Sequence, residues 1–85
     1  MKSRQEIERA VREAVFSAVH RKVGVEETLV SSGLIDSLMI LQLISQIEHK
    51  LGIQIATEAI QPDDFDTIPL AIETVARNLG GASRM

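Results

Sequence analysis

The chain has 85 residues, 45% of them hydrophobic, with a formal charge of −3, no cysteine, and Phe16 and Phe65 as its two aromatics. That is enough for one small domain with an aliphatic core. It argues against a nucleic-acid interface, which needs a basic face or a stacking platform, and excludes disulfides, thiol nucleophiles and thiolate-bound metals. No apolar run reaches membrane-spanning length, so no membrane insertion is expected. Met1-Lys2-Ser3-Arg4-Gln5-Glu6 lacks the apolar centre of a secretion signal, and a cytoplasmic monomer is the expectation.

Ser3-Arg4-Gln5-Glu6 reads as a capping box. Ile7, Ala10, Val11, Ala14, Val15, Ala18 and Val19 then recur at three-and-four spacing, which predicts a first helix from about residue 4 to about residue 20, stopped by Gly24. Residues 21–36 form a long connection, with Leu29 and Leu34 expected to anchor it to the core and Gly33 to supply a turn. Asp36 is placed to cap a second helix by accepting the N–H of Met39, with Ser37 as its first residue. This helix is predicted over about residues 37–51, with Gly52 as its C-cap. Leu38, Leu41, Ile44, Glu48 and Leu51 make one stripe, widened by Ile40, Leu43 and Ile47. The other face shows Met39, Gln42, Ser45, Gln46 and His49, with almost no charge near Ser37.

Ile53-Gln54-Ile55 reads as an extended connector, and Ala56 to Ile60 as a helical turn. A short helix follows at about residues 62–66, with Phe65 inward. Thr67 then caps a last helix over about residues 67–79, whose apolar side is Leu70, Ile72, Val75, Ala76 and Leu79. Gly80-Gly81 should end it, leaving 80–85 as a tail. The predicted fold is therefore all-α: one domain over 1–85, an antiparallel bundle of three main helices and one short helix, with a long loop between the first two.

Few residues carry chemistry. Ser37 would hold a hydroxyl at the positive end of a helix dipole, where spare N–H donors favour a phosphate. His20 and His49 have no clustered partners at ligand spacing, so no metal is expected. Asp63, Asp64 and Asp66 lack the glycine and the closing glutamate of a calcium loop and read as a solvated acidic turn. No set of residues makes a self-contained catalyst.

The segment Glu27-Thr28-Leu29-Val30-Ser31-Ser32-Gly33-Leu34-Ile35-Asp36-Ser37-Leu38 resembles the modification site of the acyl and peptidyl carrier proteins. Leu51-Gly52-Ile53 and Phe65-Asp66-Thr67-Ile68 continue the likeness, which runs from about Ile7 to Leu79 in the manner of a free-standing carrier. The resemblance implies an acyl-carrier-like fold and a 4′-phosphopantetheine arm, donated by coenzyme A under a phosphopantetheinyl transferase and joined to Ser37, with Asp36 as the preceding motif residue. The arm would hold acyl or aminoacyl groups as thioesters for partner enzymes, the chain itself being non-catalytic. Fatty-acid carriers are usually acidic along the second helix. Met39 and the neutral Gln42, Ser45 and Gln46 resemble more closely the aminoacyl, peptidyl or D-alanyl carriers, which work with adenylating ligases and downstream synthases or transferases. Methoxymalonyl-type extender carriers remain an alternative. Leu38, Met39, Gln42, Ser45 and Gln46 are the expected partner contacts, with Met39 entering an apolar pocket or else half covered by the loop. The competing class is a helical interaction module without a prosthetic group, built on a patch of Met39, Val23, Val25 and Ile35.

Overall fold

The computed structural model describes residues 3–55 and 57–83, with residues 59 and 79–83 described by backbone alone. Ala56, the side chain of Leu79 and residues 84–85, where the sequence predicts part of a turn, a core contact and the end of a tail, lie outside the described residues. Helix α1 spans Arg4–Val19, α2 spans Ser37–Leu51 and α3 spans Ile68–Ser83; 3-10 turns occupy Thr57–Ala59 and Pro62–Phe65. Among the described residues there is no strand, and no helix is long and apolar enough to cross a membrane.

Local chemistry sets the helix ends. The Ser3 hydroxyl accepts the Glu6 N–H at 3.1 Å, and the Glu6 carboxylate accepts the Ser3 N–H at 2.9 Å, closing the capping box. α1 ends near residue 20, as the spacing predicts, but the residue that closes it is His20 and not Gly24. His20 takes a left-handed conformation (φ 62°) and donates its N–H to the Phe16 carbonyl, which stops the ladder. Gly24 instead exchanges backbone contacts with Glu27, donating its N–H to the Glu27 carboxylate at 3.3 Å and accepting the Glu27 N–H at 3.2 Å. α2 closes on Gly52 at φ 66°. Thr67 caps α3, its hydroxyl accepting the Leu70 N–H at 3.3 Å. α3 then continues through Gly80-Gly81 to Ser83, where the sequence predicts an end at residue 79. Two glycines cost a helix interior about 1 kcal/mol each against alanine and do not break its hydrogen-bond ladder.

α1 is the central element and packs against both α2 and α3, while the Pro62–Phe65 turn touches α2 and α3. Leu51, at the end of α2, shares a surface groove with Glu6 and Ala10 near the start of α1. Ile68, at the start of α3, shares another with Val15 and Phe16 near the end of α1. α1 therefore runs opposite to both other helices. The core is aliphatic around the fully buried Phe65, drawing Val11 and Val15 from α1, Ile40, Leu43, Ile44, Ile47 and Leu51 from α2, and Ile68, Ala71, Ile72 and Val75 from α3.

Of the stripe that the spacing favours on α2, Ile44 and Leu51 are buried, but the rest of the buried face comes from the residues expected only to widen it. Leu38 and Leu41 are 65% and 57% exposed, whereas Ile40, Leu43 and Ile47 are buried. Apolar residues cover most of this helix, so two stripes satisfy a period of 3.6, and contact with α1 selects between them. In the connection, Leu29 is buried, but its second anchor is Ile35 at 1% exposure, with Leu34 half-buried beside the core. Leu43→Ala should cost about 2–5 kcal/mol in urea unfolding, as for a buried leucine. Leu41→Ala should change stability by less than about 0.5 kcal/mol, as for a surface residue. The reverse order would mean that α2 is rotated.

Candidate functional site

Asp36 has an extended backbone (φ −105°, ψ −179°), and its carboxylate accepts the Met39 N–H at 2.9 Å. The Ile40 N–H reaches the Asp36 carbonyl at 3.0 Å, so the intrahelical ladder begins there. Ser37 and Leu38 precede that first rung, and their N–H groups have no intrahelical carbonyl to bind. Ser37 is the exposed first residue of α2. Its hydroxyl thus stands among unpaired N–H donors at a positive helix end, a setting that suits a phosphodiester.

The loop leading to Ser37 is held from across the fold. Asp66, just after the second 3-10 turn, accepts the Val30 N–H at 2.9 Å, the Ser31 N–H at 2.8 Å and the Ser31 hydroxyl at 2.5 Å. Its carbonyl also accepts the Leu29 N–H at 2.7 Å. The Ile35 N–H turns back to the Leu29 carbonyl at 2.9 Å, and Gly33 takes φ 82° between them. Asp66 is therefore no solvated acid. The Ser31 hydroxyl first, then the backbone N–H groups of Ser31 and Val30, hold its carboxyl below the usual aspartate range. Asp64 is also engaged, accepting the Gln61 N–H at 2.9 Å, and of the three acids only Asp63 is exposed. Earlier in the loop the Arg21 guanidinium pairs with the Glu27 carboxylate.

Two surfaces meet at Ser37. One is the outer face of α2, where Leu38, Gln42, Ser45, Gln46 and His49 are exposed. Met39 is half-buried against the core, and Leu38 and Leu41 are the open apolar side chains. The other is a groove of about 200 Å³ between α2 and the segment from Thr57 to Pro62, with Ser37 in its lining. The spacing of the sequence missed Asp66, Leu41 and this groove. Asp66 contacts residues 35 and 36 positions away, which no local pattern records. Of the patch that would favour an interaction module, Val23 and Ile35 are buried, leaving Val25 exposed and Met39 half-buried.

Comparison with known proteins decides the family. The model for the phosphopantetheine attachment site matches residues 9–76, most of the chain. The chain belongs to that family. Its prosthetic group is 4′-phosphopantetheine, and its all-α fold is that of an acyl carrier protein. Domains of the family are generally non-catalytic and work with phosphopantetheinyl transferase and synthase partners. No curated protein matches the chain. The residues at the start of α2 fit the group: an exposed hydroxyl, free N–H donors and no cationic or anionic side chain in the adjoining groove.

A carboxyl with a lowered folded-state pKa stabilises the fold fully above its unfolded value, about 4 for aspartate, and loses that contribution as pH falls through the lower folded value. Asp66→Asn should therefore be less stable than the parent in urea at pH 6, and the gap should narrow below about pH 4. Amide exchange at Val30 and Ser31 should rise more than at Val11 of α1. A gap that does not change with pH would remove the ionised latch.

Proposed function

We propose that the chain is a non-catalytic carrier that receives 4′-phosphopantetheine on the hydroxyl of Ser37 and presents acyl or aminoacyl groups to partner enzymes in the cytoplasm. The position of Ser37 carries this reading: exposed, first in α2, and next to an Asp36 that caps the helix without covering the hydroxyl. Asp36 fixes the first turn, so the N–H groups of Ser37 and Leu38 face the position where the diester forms. When attached, the arm supplies the thiol that this cysteine-free chain lacks. The chain's own residues hold and orient its point of attachment.

The outer face of α2 supports an adenylating ligase among the partners, as for aminoacyl, peptidyl or D-alanyl carriers. Its exposed residues near Ser37 are apolar or neutral: Leu38, Leu41, Gln42, Ser45 and Gln46. A partner meeting this face gains from burying Leu38 and Leu41, with Met39 as a half-covered flank, and little from charge. A fatty-acid-type partner with a basic patch finds no acidic row to grip.

Incubation with coenzyme A and a broad-specificity transferase should add one phosphopantetheine by intact mass. Ser37→Ala should add none and keep its helical circular dichroism. Addition to that variant, or none to the folded parent, would refute the assignment. For partner choice, protein already carrying the arm should be loaded by its ligase roughly tenfold or more slowly after Leu38→Asp, since burying a leucine is worth about 1.5–3 kcal/mol. Raising salt from about 0.05 to about 0.5 M should matter much less, since screening acts on charge. Loading that tolerates Leu38→Asp but collapses in salt would mark a charge-driven partner.

A further inference from the structure

We propose that the groove between the end of α1 and the start of α3 is a docking site for an acidic segment of a partner protein. One apolar side chain of that segment sits against Phe16, and its carboxylates are held by Lys22, Arg12 and Arg21. The groove measures about 320 Å³. Its floor is apolar and belongs to the core, since Val15, Val23 and Ile68 are all buried. Phe16, one of the two aromatics in the chain, lines the groove and is 51% exposed. A half-bare aromatic beside an apolar floor gains from a side chain that covers it. Arg12, Val15 and Phe16 meet there because positions three and four apart share one side of a helix.

The charge at this groove opposes that of the whole molecule. The chain carries −3, yet the lining sets Arg12, Arg21 and Lys22 against the carboxylate of Glu13. Glu13 accepts from Lys50 at 3.2 Å, so its charge is already met. Arg12 donates to Glu8 through Nε at 2.9 Å, and among the described residues its terminal nitrogens have no hydrogen-bond partner. Arg21 pairs with Glu27, while Lys22 has no ion pair among the described residues. Exposed pairs of this kind contribute little and yield to a competing carboxylate. A small anion would leave the apolar floor uncovered, and a neutral peptide would leave the cations unmet; an apolar side chain flanked by acids satisfies both. α1 and α2 run in opposite directions, so the end of α1 and Ser37 lie at the same end of the bundle. No residue of α2 lines the groove. A partner held there keeps the chain close while Ser37 and the outer face of α2 stay open to others.

The test titrates a fluorescent synthetic peptide, a leucine flanked on both sides by aspartates, into the protein and follows anisotropy and amide shifts. Saturable binding should move the amides of Phe16, Lys22 and Val23 and leave those of Leu38 and Gln42 in place. Phe16→Ser, at an exposed position, should weaken binding at least about fivefold, as for an interface aromatic. Lys22→Glu should weaken it roughly tenfold by reversing a charge. On the unaltered protein, exchanging the peptide's leucine for serine, or its aspartates for asparagines, should cost at least about fivefold. Ser37→Ala should bind as the parent does, so the outcome is independent of the attachment assignment. No binding overturns the site, as does binding that survives the serine exchange with shifts spread over Arg9, Lys50 and Arg77. Phe16 and Lys22 shifts that follow protein concentration without peptide would assign the groove to a second copy of the chain. The same shifts with vesicles of anionic phospholipid and not with peptide would assign it to a membrane surface. Either result overturns the acidic segment.

Discussion

The connection between α1 and α2 has no helix or strand of its own, and one residue from beyond α2, Asp66, holds its middle. A buried or half-buried backbone N–H needs a partner, and in a segment without a ladder that partner must come from elsewhere. Asp66 meets the need at three consecutive residues, taking Leu29 on its carbonyl and Val30 and Ser31 on its side chain. Leu29 and Ile35 can then both point into the core, and the short stretch between them closes over Gly33. Asp36 and Ser37 follow Ile35 directly, so the start of α2 is positioned by the same contacts.

That arrangement meets two demands that the proposed attachment at Ser37 makes. A modifying enzyme needs the hydroxyl exposed, while an anion needs oriented donors. A helix N-terminus provides both, because its first N–H groups point outward and its dipole favours negative charge. The Asp36 cap consumes the N–H of Met39, inside the turn, and leaves those of Ser37 and Leu38. The core beneath is aliphatic and close to the surface everywhere, as a domain of this size requires. Side chains of α2 are accordingly shared between α1, the segment that follows α2, and solvent.

The exposed leucines give the outer face its character. Isolated apolar residues on a surface are ordinary. Leu38 and Leu41 are less so, since they flank Ser37 on a helix whose nearby exposed positions are otherwise neutral. Without charges, long-range steering is weak and contact depends on fit at short range.

Helix positions were legible because their signals are local. Ser3 with Glu6, the three-and-four spacing of α1, Asp36 before an apolar run and Gly52 after it are contacts within a few residues, and the chain alone specifies them. What closes α1 was less so: a left-handed His20 does it, a conformation that residue type alone does not announce. The resemblance to a carrier modification site lies in adjacent residues, Asp36, Ser37 and Leu38, so the chain alone is enough to suggest it. Tertiary structure decided what depends on distance. It selected which of two apolar stripes on α2 is buried, because only packing against α1 breaks the tie between Leu41 and Leu43. It turned Asp66 from an apparent surface acid into the latch of a loop 35 residues away in sequence. It also set Thr57, Ile60 and Gln61 across a groove from Ser37, since a groove exists only between two segments that the fold brings together.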